Sequence, residues 1–161
     1  MAGEKVITHE CRAAGLVFET VNDWMNWLKE NSYDIKKPVA EHDGFKFNIN
    51  DACINPHVYA AYEVGNHHNW KVKTAKTQYG WIWGYDISTG SGGSVTPAAY
   101  PSRYDKSAIF YETEEQAAHD ALSFIIRQLE CKPKTKNNGI LLWSAKKKRA
   151  DIIHPQMELF K

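Results

Sequence analysis

The chain has 161 residues, a 43% share of apolar residues and a formal net charge of +1. This length suits one domain with a sizeable core, and a 24% share of charged residues is ordinary for a soluble globular protein. No apolar run approaches the roughly 20 residues of a membrane helix and the start lacks the apolar stretch of a signal peptide, so we expect a cytoplasmic protein with no membrane partner.

The first 50 residues predict a helical part flanked by strands. A short strand is possible over residues 5–10. Thr20 or Asn22 can cap a helix that extends to Glu30. Its apolar positions, which recur at helical spacing, are Val21, Trp24, Met25, Trp27 and Leu28. Apolar residues at 45, 47 and 49 then alternate with polar ones, which is typical of a half-buried strand.

The segment that follows Asn55 is compatible with either a helix or a strand. Pro56 suits the first position of a helix, because its fixed backbone angle matches the helical one. We therefore expect residues 58–64 to be helical.

A β-hairpin is predicted in the middle of the chain. Residues 70–78 are rich in Val and Thr, Tyr79-Gly80 supplies a turn, and residues 81–88 form the partner strand. On that strand the side chains that share one face are Trp81, Trp83, Tyr85 and Ile87. This face is either core beneath a helix or a platform on which single-stranded bases stack.

The last predicted helix is the clearest element. Thr113 and Gln116 form a capping box that opens a helix to about Glu130, and its apolar positions follow the 3.6-residue period. Residues 140–143 suggest a short buried strand. From Lys146 onward we expect a loosely held segment.

Together these elements predict an α+β fold. A small antiparallel sheet is covered by the long amphipathic helix at about 113–130, with an N-terminal helical part. Residues 1–145 would form one domain, and residues 146–161 a basic, flexible tail.

Basic residues concentrate in the last quarter of the chain. From Arg127 onward nine basic residues stand against three acidic ones, a net charge of +6, which leaves −5 on the rest. The densest part of this segment is Lys146, Lys147, Lys148 and Arg149. Such a cluster contacts a polyanion such as nucleic acid, or is simply a solvated tail.

No motif in the sequence predicts catalysis, a metal or a cofactor. Cys11, Cys53 and Cys131 are odd in number and far apart, which fits a reducing compartment, and no CxxC pair is present. His67 and His68 are adjacent, so their side chains diverge and are poorly placed to share a metal. The sequence contains neither GxSxG nor the GxxxxGK[ST] phosphate loop. We therefore expect a non-enzymatic protein.

Two short segments resemble known protein families. The pieces Trp83-Gly84-Tyr85, Gly90-Ser91-Gly92-Gly93 and Thr113-Glu114-Glu115-Gln116-Ala117 resemble a strand, Gly/Ser-loop and helix module of phage and mobile-element accessory proteins, over residues 81–130. This resemblance implies a phage or mobile-element origin and no particular activity.

The second resemblance lies in Gln156-Met157-Glu158-Leu159-Phe160. It is similar to the QxxLF peptide with which bacterial and phage replication and repair proteins dock on the DNA polymerase sliding clamp. By that resemblance Leu159 and Phe160 would fill an apolar pocket of the clamp and Gln156 an adjoining polar subsite. The alternative is that these side chains pack on the domain itself.

The preferred function is therefore that of an accessory protein of DNA metabolism that docks on the sliding clamp. One alternative is a nucleic-acid-binding module that uses the Trp81, Trp83 and Tyr85 face and the basic tail. Another is a phage inhibitor of a host defence enzyme. The sequence does not specify the oligomeric state.

Overall fold

The computed structural model describes residues 9–101 and 109–158, with the side chains of the last helix described through Ile152. The strands are β1 (His9–Cys11), β2 (Leu16–Phe18), β3 (Ala40–His42), β4 (Phe45–Phe47), β5 (His57–Glu63), β6 (Asn69–Thr77), β7 (Gly80–Thr89) and β8 (Gly92–Thr96). The helices are α1 (Val21–Glu30), α2 (Glu114–Glu130) and α3 (Lys136–Glu158). The predicted α+β class is confirmed. Within the described residues, no helix has the length and apolar character that a bilayer crossing requires.

The main sheet is an antiparallel meander in the order β5-β6-β7-β8, which leaves β5 and β8 as its edges. The predicted hairpin is its centre, with β6 and β7 paired from Asn69↔Ser88 to Thr77↔Gly80. Gly80 turns the chain with φ 134, and a Cβ there would lie 2.6 Å from the carbonyl oxygen of Tyr111. Glycine is therefore the residue that this turn requires.

Strand β5 replaces the helix that we expected over residues 58–64, so that prediction is wrong. The segment pairs with β6 from His57↔Thr74 to Glu63↔Asn69, with an irregularity between Val58 and Ala60. Pairing with β6 satisfies the backbone polar groups of this short segment, and tertiary context of this kind overrides a weak local helix preference.

Helix α2 covers one face of the sheet, as predicted. Both hydrogen bonds of the Thr113–Gln116 capping box are present. The helix buries an apolar stripe that consists of Ala117, Ala118, Ala121, Leu122, Ile125, Ile126 and Leu129. This stripe packs on Trp70 and Val72 of β6 and Ile87 of β7.

Helix α3 corrects the prediction of a short strand at residues 140–143. Thr135 accepts a hydrogen bond from the Asn138 backbone N–H at 3.2 Å and so caps a helix that starts at Lys136. Leu141 and Ala145, four residues apart, are buried together in the α2 core. The helix runs through the boundary expected after residue 145. Ile152, within this part of the helix, is also buried.

The N-terminal part covers the other face of the sheet at one end. Helix α1 is confirmed, with Thr20 as its cap. The hairpins β1-β2 and β3-β4 accompany it. A second core joins β4 to the sheet and contains Phe47, Cys53, Ala75, Ile82, Ala98 and Tyr100. Ile82 faces away from α2, because it is an odd number of residues from Ile87 on the same strand.

Candidate functional site

An open cleft of about 380 Å³ lies between the edge strand β5 and helix α3. Its lining consists of Ala60, Ala61, Tyr62, Trp70, Trp143, Ser144, Lys147, Lys148 and Asp151. Three of these side chains are aromatic and two are cationic. Asp151 supplies one carboxylate, so the cleft combines aromatic surfaces with two positive charges and one negative charge.

One buried hydrogen bond sets the position of α3 against the sheet. The indole N–H of Trp70 donates to Oγ of Ser144 at 2.8 Å, and the Ser144 hydroxyl donates in turn to the backbone carbonyl of Leu141 at 2.7 Å. Ser144 is thus on the inner side of the helix. Its neighbour Trp143, about 100° away around the helix axis, is left on the open side.

Trp143 and Lys147 form an exposed aromatic and cationic pair. Trp143 is 57% exposed, which is unusual for a residue of its size. The Lys147 ammonium lies 5.2 Å from the centre of its ring, at the i, i+4 spacing that brings helical side chains together. A cation–π contact at an exposed site contributes about 0.5–1 kcal/mol. The pair is therefore loosely held and can exchange for contacts with a ligand.

Lys148 makes the corresponding contact with the strand. Its ammonium lies 5.8 Å from the centre of the Tyr59 ring. Burial raises the pKa of the Tyr59 hydroxyl, and the charges of Glu115 and Glu114 raise it further. Acidic side chains of α2 therefore lie near the Tyr59 hydroxyl, whereas Asp151 is the acidic residue that lines the cleft itself.

No protein-family model matches this chain, and no curated protein or solved structure is significantly similar to it. Function has to be inferred from the side-chain chemistry itself.

The four basic residues that we predicted as a nucleic-acid contact diverge around α3. Lys147 and Lys148 line the cleft. Lys146 instead lies 3.6 Å from Glu130, and Arg149 donates to Oγ of Ser123 at 3.2 Å, both on α2. Helical geometry separates neighbours by about 100° each, so the cluster is split between two surfaces.

The aromatic face predicted on β7 is used for packing. Trp83 and Tyr85 lie against Phe124 of α2, with ring centres 5.7 Å and 4.7 Å apart. Trp81 meets Phe45 edge-on at 5.9 Å. All three rings are half-buried, Trp83 and Tyr85 under α2 and Trp81 beside β4.

The peptide that resembles the clamp motif falls at the limit of the described residues. Leu159 and Phe160 lie outside them. The backbone of Gln156 is helical as part of α3, and its side chain is outside the described set.

The side chains of two other polar clusters make hydrogen bonds that connect parts of the fold to each other. His68 accepts a hydrogen bond from the Gly90 backbone N–H at 3.1 Å and so holds the β7-β8 turn. The His57 imidazole contacts the Glu114 carboxylate, which also accepts from the Thr74 hydroxyl at 2.8 Å. Among the described residues there is no group of three or more potential metal ligands.

Tyr62 and Trp143, which line the cleft, were not predicted from the sequence as site residues, and neither was Tyr59 beside Lys148. Trp143 and Lys147 are four residues apart, so a helix prediction for residues 140–143 would have placed them on the same helical face. Tyr59 and Tyr62 required β5 to be recognised as a strand at the edge of the sheet.

Proposed function

We propose that this protein is a non-enzymatic accessory protein of DNA metabolism that binds single-stranded nucleic acid in the β5/α3 cleft. The observation that carries the proposal is the exposed Trp143 ring beside the Lys147 ammonium. Single-strand-binding sites combine aromatic rings on which bases stack with cations that follow the phosphates. In this cleft Trp143 and Tyr62 are the rings, and Lys147 and Lys148 the cations.

The shape of the cleft favours single strands over duplexes. A volume of about 380 Å³ accommodates a small group such as one base with its sugar. A base inside an intact duplex cannot reach Trp143, because it is stacked between its neighbours. Stacking on an aromatic side chain contributes about 1–3 kcal/mol per base.

The charge distribution supports an anionic ligand. The segment from Arg127 onward carries +6 while the rest of the chain carries −5. A phosphate bound in the cleft would lie near Lys147 and Lys148, whose two positive charges exceed the one negative charge of Asp151 in the same lining. Each phosphate contact to a single strand makes the slope of log affinity against log salt more negative by about 0.7.

The test is fluorescence anisotropy of a labelled oligonucleotide titrated with wild type and variants at several salt concentrations. Lys147→Ala should weaken binding and flatten the salt dependence, whereas Lys146→Ala, at the adjacent position but paired with Glu130, should have little effect. Trp143→Ala should reduce affinity by about tenfold or more. Tyr33→Ala, which removes another exposed aromatic ring, is its control.

Three outcomes count against the binding of single-stranded nucleic acid in the cleft. Equal losses for Lys146→Ala and Lys147→Ala would mean that only the bulk charge of α3 attracts the oligonucleotide. If the protein binds duplex more tightly than single strand, and Trp143→Ala does not change either affinity, then bases do not stack on Trp143. An acidic peptide that displaces the oligonucleotide and binds more tightly would replace nucleic acid as the ligand.

A second candidate function is docking on the sliding clamp, which the pentapeptide from Gln156 to Phe160 supports. Leu159 and Phe160 would supply the apolar anchor and Gln156 the polar contact. A single short peptide of this kind binds at about the micromolar level, because ordering the segment offsets part of the contact energy. The basic residues that precede it on α3 would then lie near DNA that threads the clamp.

Clamp docking is tested by titration of purified bacterial clamp with wild type and with a Leu159→Ala/Phe160→Ala variant. We expect binding by wild type alone. Equal binding by both proteins, or by neither, removes this candidate. Oligonucleotide binding in the cleft should be the same for both proteins, so the two functions separate.

A further inference from the structure

Asp151 is the acidic residue of the β5/α3 cleft, and it lies at the end remote from Trp143. Both residues line the cleft. They are eight positions apart on α3, which separates their Cα atoms by about 12 Å along the helix axis. A ligand group stacked on Trp143 therefore does not itself contact Asp151, and only a ligand that extends along the cleft meets both residues.

The Asp151 carboxylate is available to such a ligand. Asp151 is exposed, and among the described residues it takes part in no ion pair. Lys147 and Lys148 are at helical spacings that could bring them to it. Their ammonium groups lie instead over the rings of Trp143 and Tyr59, at 5.2 Å and 5.8 Å from the ring centres. Because a carboxylate only accepts hydrogen bonds, a hydroxyl or an amine suits it and a phosphate does not.

The sugar is the part of a bound nucleotide that would extend toward Asp151 when the base is stacked on Trp143. Inside a DNA strand this sugar offers no donor, because both of its hydroxyl oxygens are esterified and a phosphate lies on each side. A nucleotide at the end of a strand has one phosphate and one free hydroxyl. The cleft offers the matching groups, two ammonium groups for the phosphate and the Asp151 carboxylate for the hydroxyl.

We propose that the cleft binds the terminal nucleotide of a DNA strand, and that Asp151 accepts a hydrogen bond from its free hydroxyl. This inference rests on the proposed binding of single-stranded nucleic acid. A hydrogen bond to a carboxylate is charge-assisted and stronger than one between neutral groups. The same carboxylate repels the second phosphate of an interior nucleotide, so both effects favour strand ends. The 3′ and 5′ hydroxyls share this chemistry, and the experiment distinguishes them.

The experiment compares short oligo-dT strands that differ by one hydroxyl. In the first pair the label is at the 5′ end and the 3′ carbon carries a hydroxyl or a hydrogen. In the second pair the label is at the 3′ end and the 5′ carbon is varied in the same way. Because all strands are DNA, no 2′-hydroxyl supplies an alternative donor.

The measured quantity is the ratio of the two dissociation constants within each pair, at one salt concentration and pH. In wild type we expect loss of the hydroxyl at one of the two ends to weaken binding by about fivefold, consistent with one hydrogen bond to a charged group that is partly exposed to water. Asp151→Ala should bring this ratio close to one, because it removes the acceptor. Since Asp151 is exposed, its replacement should not impair folding, which a thermal melt verifies.

Glu63→Ala is the matched control. It removes a carboxylate from an exposed position on β5, next to Tyr62 in the chain. Strand alternation directs Glu63 to the face of the sheet opposite to Tyr62, away from the cleft. This variant should therefore keep the ratio of wild type.

The outcomes separate the two proposals. If no strand binds, single-strand binding fails and the strand-end proposal with it. If the strands bind in a Trp143-dependent way but both ratios are close to one in wild type, only the preference for strand ends is overturned. A fivefold ratio that persists in Asp151→Ala, or that Glu63→Ala removes equally, would overturn the hydrogen bond to Asp151.

Discussion

The indole N–H of Trp70 donates a 2.8 Å hydrogen bond to Oγ of Ser144 across the interface between β6 and α3. Both residues are buried, at 2% and 6% exposure. This bond joins the sheet to the helix that carries Trp143 and Lys147. The geometry of the cleft therefore depends on a contact between residues 74 positions apart in the chain.

Replacement of Ser144 by Ala should destabilise the protein by about 1–3 kcal/mol, because it leaves the buried Trp70 N–H without an acceptor. Urea unfolding followed by circular dichroism measures the change. Ser94→Ala, at an exposed position on β8, is the control and should alter stability by less than about 0.5 kcal/mol. A Ser144→Ala protein as stable as wild type would show that water or a shifted α3 satisfies the indole.

Two glycine substitutions should change stability in opposite directions. A Cβ at Gly84 would lie 2.4 Å from the backbone N of Ala98, so Gly84→Ala should destabilise by at least about 1–3 kcal/mol. At Gly139, which lies within α3, a Cβ meets nothing within 4 Å. Gly139→Ala should therefore stabilise by about 0.5–1 kcal/mol, since alanine favours the helix. Thermal melts compare the two, and a fall in Tm for Gly139→Ala contradicts the helical assignment of this segment.

The three thiols should differ sharply in reactivity. Cys131 is exposed, whereas Cys11 and Cys53 are buried. Burial, with the nearby charge of Asp51, raises the pKa of the Cys11 thiol to about 12, and burial also raises that of Cys53. The thiolate is the reactive form.

At pH 8 dithiobis(nitrobenzoate) should therefore modify one thiol rapidly in the native protein and all three in urea. Cys131→Ser should remove the rapid reaction, and a second fast thiol in that variant would contradict the burial of Cys11 and Cys53.

Tyr111 should make the protein sensitive to alkaline pH. Burial, and next its hydrogen bond to the Asp120 carboxylate, raise the pKa of the Tyr111 hydroxyl from 10 to about 12. Because the folded state binds this proton more tightly than the unfolded state, the stabilisation is complete below pH 10 and is lost as the pH rises toward 12.

Urea unfolding at pH 8 to 11.5 measures the effect. In Tyr111→Phe the free energy of unfolding should be lower at pH 8 and should fall less steeply above pH 10. Parallel pH profiles for the two proteins would rule out this contribution.

Elements with strong local signals were predicted correctly from the sequence. The capping box at Thr113 and Gln116 and the apolar period after it identified α2, and Tyr79-Gly80 between two apolar segments identified the central hairpin. These signals act over a few residues, because hydrogen bonds at a helix end and backbone angles in a turn depend on immediate neighbours.

Elements with weak local signals were not predicted correctly from the sequence. Residues 57–63 form β5 because β6 supplies hydrogen-bond partners, and residues 140–143 are helical because Leu141 and Ala145 pack together on α2. The cleft depends on both elements, so its aromatic residues were not recognised as a site. Lys147 and Lys148, which line the cleft, were among the predicted basic residues. The sequence did not distinguish them from Lys146 and Arg149, which contact α2 instead.

The sequence by itself determined the α+β composition, the hairpin, the capped helix and the excess of positive charge toward residue 161. The tertiary structure alone decided which rings face solvent and which cations accompany them. Burial and strand pairing involve residues far apart in the chain, so Trp83 is half-buried against Phe124 while Trp143 is exposed, although both are tryptophans in apolar segments. The difference in exposure between these two residues depends on which surfaces α2 and α3 cover, and no local sequence pattern encodes it.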